Sequence, residues 1–349
     1  MNSIAIWWPE ATESVSIHTD INLWLDRDPQ QDYIEFGIKV GVSASIQEIY
    51  IFLPFKDIEG HVKDKINELI EGKLTKALFN EQMSVTQSDG GCHDVTYSTG
   101  DRVGESFRYC QLNEASDFSY DKITENDQGV AGTKLTIKLK KQKDNTQDYY
   151  RFRVNTSLDK LKTTSNENFF VIDGLVKEVS FVEFCINSSR KLPNSICDLL
   201  NPVQKIASMN LFIMTDILTT FEFESNKVKS TRMLEAHIWN SYLGKNLGGS
   251  RSKHFWDFLI KRKQVEKNVI ANQWSESNFH DYNLFVKIKR SKKTGRALVG
   301  AVFLIIALGV AGNVATDLIY SSELKSQAIT ASQTAPEEKK ESKNDAPNK

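Results

Sequence analysis

The sequence holds little of what metal or nucleophilic chemistry needs. Its 349 residues include four cysteines and six histidines. Cys92, Cys110, Cys185 and Cys197 are widely spaced, and in a chain kept in the cytosol they read as reduced thiols. No two histidines have the helical spacing of a zinc pair, and Cys92-His93 is a half-site with nothing to complete it. No metal and no cofactor are therefore expected. Gly244 to Ser250 contains glycines but lacks the preceding strand and the Gly-Lys-Ser order of a phosphate loop, so it reads as a linker. Asp26 and Asp28 are the paired acids closest to a magnesium motif. They stand before Pro29, where aspartates bond their own backbone, and are read as a turn. No catalytic residue is assigned.

Two further absences bear on location. The opening MNSIAIWWPE has neither the basic n-region nor the apolar h-region of a secretory signal. The large N-terminal part is expected to stay in the cytosol, with the sequons at Asn155 and Asn187 as chance matches. A formal net charge of −1 argues against a chain that binds polyanions by charge alone.

What the chain has in quantity is strand pattern. Ile4–Trp8, Val15–His18 and Asn22–Leu25 are short β-prone runs, and Ile34, Phe36, Ile38 and Val40 alternate onto one face. Ile46–Phe55 is a nearly continuous apolar strand. Val62, Ile66, Leu69, Ile70, Leu74, Ala77 and Leu78 fall on one helical stripe, with Gly72 as a break and Asn80 as a stop. Val176–Ile186 and Leu211–Phe223 read as strands, as does Phe169–Ile172. Met233 to Gly244 reads as a short helix, and Phe255–Lys263 as an aromatic-rich helix of the core or of the membrane interface. The expected fold is β-rich (α+β), with antiparallel sheets or sandwiches and one C-terminal transmembrane helix. The expected divisions are 1–126, 127–228, a juxtamembrane region 229–296, a span 297–316 and a disordered external tail 317–349.

One stretch suggests a binding face. Leu135, Ile137 and Leu139 alternate with Lys134, Lys138 and Lys140, and Tyr150, Phe152 and Val154 alternate with Arg151 and Arg153. Paired as a hairpin, the five cations would share one face and repel unless an anion lay between them. A nucleotide or short oligonucleotide would meet that need. The alternatives are a solvated face neutralised by neighbouring acids, or contact with anionic lipid.

The span itself is ALVGAVFLIIALGVAG, Ala297 to Gly312, which with Asn313–Thr316 reaches the roughly 20 residues that cross a bilayer. Lys287, Lys289, Arg290, Lys292, Lys293 and Arg296 precede it with no acid among them, which places its N-terminal side in the cytoplasm. Gly300, Ala307, Ala311 and Ala315 form one small-residue face; Gly309, Gly312 and Thr316 lie roughly opposite, an arrangement suited to self-association.

At the level of architecture, the collar Lys287–Arg296 and the span Ala297–Thr316 make the chain resemble the single-span membrane effectors of bacterial anti-phage systems such as CBASS and Hailong. The resemblance implies a cytosolic domain that senses a nucleotide-derived signal, and a membrane part that oligomerises to open or disrupt the inner membrane. The tail would then be periplasmic. The expected partners are the bilayer, further copies of the chain, the signal molecule and a protein from the same operon. A membrane-tethered scaffold, or an anchored enzyme, is the alternative.

Overall fold

The computed structural model describes residues 2–333 apart from 11–14, 27, 42–45, 72–73, 80, 89, 125–129, 141–145, 166–176, 202, 224–227, 244–268 and 292–293. The chain divides into two compact units, residues 1–167 with 178–291, and residues 168–177 with 292–349.

The first unit is built from runs of β-branched and aromatic residues. In chain order these are β1 (Ala5–Trp7), β2 (Ile17–Trp24), β3 (Tyr33–Val40), β4 (Glu48–Leu53) and β5 (Val62–Asp64), then helices α1 (Ile66–Glu71) and α2 (Thr75–Phe79). Next come β6 (Met83–Gln87), β7 (Cys92–Tyr97), β8 (Ser106–Cys110), β9 (Phe118–Thr124), β10 (Ala131–Lys138) and β11 (Gln147–Asn155). The remainder is β12 (Lys162–Ser165), β13 (Lys177–Ile186), α3 (Asn194–Cys197), β14 (Ile206–Asp216), β15 (Thr219–Phe223), β16 (Ser230–Leu234), α4 (Ala236–Leu243), β17 (Val269–Phe279) and β18 (Tyr282–Ser291).

The described residues form three sheets. The largest has ten strands in the order β16-β17-β14-β2-β3-β11-β8-β7-β6, with β5 also on β11. It is mixed, because β14 runs parallel to β2 and β11 parallel to β8. Two four-stranded sheets, β1-β4-β10-β9 and β12-β13-β18-β15, complete the unit. One apolar core takes residues from all three, including Ile21, Phe36 and Phe152, Ile51 and Leu135, and Phe184 and Val286. The other face of the large sheet carries a second cluster, in which Ile66, Leu69 and Leu74 from the α1–α2 region and Trp239 and Tyr242 from α4 cover Tyr149, Tyr109 and Phe107.

The β-rich class with one C-terminal apolar helix is as expected, but several assignments change. Strands from all three expected cytosolic divisions share the large sheet, so the boundaries at 126 and 228 separate nothing. The runs at Val15 and Asn22 are one strand. Val62 belongs to β5, and Met233 to β16, because both complete an antiparallel pairing that helical spacing does not reveal. The predicted elements at Phe169–Ile172 and Phe255–Lys263, with Gly72 and Asn80, lie outside the described residues.

The hairpin is not formed. Strand β10 pairs with β4 and β9, while β11 pairs with β3, β5 and β8. The chain changes layer between them, and a short polar connection fits a sheet change as well as it fits a turn. The layers pack through rings such as Phe118 and Phe152, whose centroids are 5.6 Å apart.

The second unit contains α5 (Thr294–Gln333), a 40-residue helix. Its stretch Val302–Lys325 is long and apolar enough to cross a membrane, and none of that window is buried within the chain. The helix runs past Thr316, so 317–333 is helical rather than disordered: once nucleated, a helix propagates readily through Leu-, Ala-, Glu- and Lys-containing sequence. Residues 334–349 lie outside the described part.

Candidate functional site

The five cations expected to share a face are divided between two sheets. Lys134 lies 2.8 Å from Asp121 on β9 and 5.5 Å from the centre of the Tyr50 ring. Lys140 bonds Asp117 at 2.5 Å. Lys138 stands exposed at the end of β10. Arg151 and Arg153 point from β11 to the other side of the core, where both are buried. Neighbouring acids thus take up much of this charge.

The two arginines converge on Glu35. In the β3–β11 register Arg153 is opposite Glu35 and Arg151 is opposite Gly37. Arg151 Nε donates to Glu35 Oε1 at 2.7 Å, and Arg153 Nε donates to Oε2 at 2.9 Å. Helix α4 brings Tyr242, whose hydroxyl donates to Oε1 at 2.6 Å, and Arg151 Nη1 donates to the Tyr149 hydroxyl at 2.7 Å. The Arg153 guanidinium lies 4.0 Å from the centre of the Tyr33 ring. Burial by itself would raise the Glu35 carboxyl. The two guanidiniums and the hydrogen bonds outweigh it and hold the group down at about 2. Gly37 is needed here: a Cβ at that position would lie 2.1 Å from the Tyr149 hydroxyl oxygen. This cluster is closed, with both guanidiniums and the Tyr242 hydroxyl held by the one carboxylate, a lock between β3, β11 and α4. A second such lock joins β8 to β11, with Arg108 bidentate on Asp148 at 2.8 and 2.9 Å.

Beside the Glu35 lock, the same face of the large sheet carries a half-buried polar row. Ser208, His18, Lys39 and Tyr149 are successive cross-strand neighbours on β14, β2, β3 and β11. His18 bonds Ser208 at 2.7 Å and Ser16 at 3.1 Å, and in the next row Asn210 donates to Asp20 at 2.9 Å. Lys39 makes no ion pair among the described residues. Its ammonium sits 4.3 Å from the centre of the Phe107 ring. Burial, and then the nearby charge of Arg102, push it down to about 8. Burial and Lys39 also lower His18. Asp20, Glu105 and Glu81 act on it only from a distance, without closing an ion pair, and a half-desolvated amine in that position can receive an anionic group.

The basic collar is only partly free. Lys287 lies 3.6 Å from Glu222 and Lys289 pairs with the same carboxylate. Arg290 is buried, donating to the carbonyls of Asp26 and Leu25 at 2.7 and 2.6 Å. Lys292, Lys293 and the side chain of Arg296 lie outside the described residues. Asp26 and Asp28 form the expected turn: Asp26 accepts from the Asp28 amide at 3.0 Å, and Asp28 from that of Gln30 at 3.2 Å. On α5, Ala307, Gly309, Ala311, Gly312 and Ala315 are all exposed within the chain, with Gly300 half-buried.

Periodicity does not single out Glu35, Tyr242 or Lys39. The available signal is a charge inside an apolar strand, Glu35 between Ile34 and Phe36, and arginines inside the aromatic run Tyr149–Val154. Cys92 opens β7 directly opposite Cys110, with their sulfurs 2.8 Å apart. Among the described residues no group of histidine, cysteine and acidic side chains could hold a metal ion. No protein-family model matches this chain, and no curated protein matches it.

Proposed function

We propose that this chain is a single-span membrane effector. Its β-rich body lies on the cytosolic face of a bacterial inner membrane and receives an anionic signal; its helix associates with those of other copies and breaches the permeability barrier. The observation that carries this reading is the Val302–Lys325 stretch, long and apolar enough to cross a membrane and exposed among the described residues. Such a surface is stable only in lipid or against other helices. A lone helix cannot enclose a conduit, so activity requires several copies. A Cβ added at Gly309 or Gly312 would meet nothing within 4 Å in the isolated chain, which leaves the small-residue faces open for close helix approach. Gly309→Ile and Ala311→Leu should leave the chain in the membrane fraction but reduce crosslinked oligomers and depolarisation together. Unchanged oligomers and depolarisation would remove the helix from the mechanism.

The polar row around Lys39 replaces the dispersed five-cation face as the candidate receiver. An anion held by the Lys39 ammonium should bind more weakly as pH rises through about 8, where that amine loses its proton. Lys39→Gln should abolish this dependence.

The second reading, a membrane-tethered scaffold, is favoured by one observation: Arg108, Arg151 and Arg153 are all engaged with internal carboxylates. It predicts a chain that stays in the membrane without depolarising it and an indifferent Lys39→Gln variant.

A further inference from the structure

The chain leaves the β-rich unit at a defined place. Strand β18 ends at Ser291, and α5 begins at Thr294, with two residues between them. The charge-free apolar sequence starts at Ala297. If the single-span reading holds, Ser291 is six residues from hydrocarbon in sequence, a length of chain able to cross the headgroup layer.

The register shows what else stands at that end. Thr219 of β15 is opposite Arg290. The two residues before Thr219 are Ile217 and Leu218, which are 44% and 65% exposed. They are held in a built turn, since Asp216 accepts from the Leu218 amide at 2.9 Å and from the Thr219 hydroxyl at 3.3 Å. The same end of the large sheet carries Met233, also exposed, because β16 and β14 meet β17 at neighbouring positions: Met233 is opposite Ile270, and Ile270 is opposite Thr215. The adjacent lysines offer little free charge, as Lys287 and Lys289 share Glu222.

We infer that the β14–β15 turn is a membrane-docking tip, in which Ile217 and Leu218, with Met233 beside them, enter the lipid interface next to the point where the chain enters the bilayer. The inference rests on the single-span reading and adds a second, non-covalent contact between body and membrane. Two apolar side chains at a rigid turn suit the headgroup–acyl boundary, where apolar burial rather than charge supplies the attraction. With the chain already tethered beside it, the tip needs little intrinsic affinity, because its effective concentration at the surface is high.

Exposed Leu199 and Val203 precede the start of β14 at Ile206, roughly 33 Å along the strand from the tip, and provide an internal control. The experiment places the photoreactive residue p-benzoylphenylalanine at position 218, or at 203, in the full chain. Each protein is reconstituted into vesicles of phosphatidylethanolamine and phosphatidylglycerol, and adducts are read by mass. The expected result is a phospholipid adduct at 218 and none at 203, with the 218 adduct lost on adding Ile217→Asp. Equal lipid labelling at the two positions, no lipid adduct at 218, or a chain-to-chain adduct there instead would overturn the inference. Alkaline carbonate extraction separates the two levels of failure. A chain that washes off the vesicles refutes the span, and the tip with it. A chain that stays while 218 is unlabelled refutes the tip alone.

Discussion

Glu35 is shared by two guanidiniums and a phenol in a site closed to water, and its removal strands both cations. Glu35→Gln should therefore destabilise the β-rich unit by about 3–5 kcal/mol, read from urea unfolding followed by tryptophan fluorescence. A cost under about 1 kcal/mol would mean that water reaches the cluster. The sign of the pH effect follows from the depressed pKa. Stability due to this carboxylate is fully present above its ordinary value of 4.5 and is lost as pH falls toward about 2. Asp32 acts the other way. Burial, opposed by Lys162, raises it from 3.8 to about 6, so its ionised form costs stability above that pH and the cost vanishes below the ordinary value. Gly37 supplies a steric test of the same cluster. Gly37→Ala should cost about 1–3 kcal/mol by driving a methyl into Tyr149. Combined with Tyr149→Phe it should cost less than the sum of the two, because both variants act on the one contact; strict additivity would place the clash elsewhere. These roles were poorly legible in sequence. Alternation assigned Arg151 and Arg153 correctly to one side of their strand. It could not say whether that side met water or a carboxylate 116 and 118 residues away.

At the scale of elements, local pattern carries part of the fold. The alternating run Ile34–Val40 and the apolar run Ile46–Phe55 contain β3 and β4, and the Asp26–Pro29 segment is a turn, but the expected strand Leu211–Phe223 is two strands, β14 and β15, with a turn between them that an apolar Ile217-Leu218 pair conceals. Strand partners could not be read, since pairing depends on residues far apart in sequence, and β10 and β11 show the cost of assuming that neighbours pair. Helix α5 is longer than the expected span 297–316. At 40 residues it extends about 60 Å, twice the hydrocarbon thickness, so part of it must lie outside the bilayer. Its hydroxyls suit apolar surroundings, because Thr316, Ser321 and Ser322 donate back to the carbonyls of Gly312, Leu318 and Ile319. The collar separates into two groups with different expected phenotypes. Arg290→Gln should lower the stability of the β-rich unit by about 1.5–3 kcal/mol, because it uncaps two carbonyls at the end of β2. Replacing Lys292, Lys293 and Arg296 by Gln should instead leave stability unchanged and weaken the orientation signal. An alkaline phosphatase fusion after Lys349 should be active in the native sequence and lose activity in the triple variant. An inactive fusion on the native chain would reverse the topology.

For the whole molecule, the proposed function gives the β-rich unit and the apolar helix separable tasks, and the sheets set where the two can be cut apart. A cut at residue 286 would remove half of β18, together with the Arg290 contacts to β2, whereas a cut after Ser291 leaves the sheets whole. The effector mechanism stands or falls on membrane potential measured in cells expressing the full chain or the fragment 1–291. The full chain should depolarise the membrane when its signal is present, and the intact fragment, recovered from the soluble fraction, should have no effect. Equal toxicity of a folded, soluble fragment would contradict it, because the damage would then be done in the cytosol without the helix.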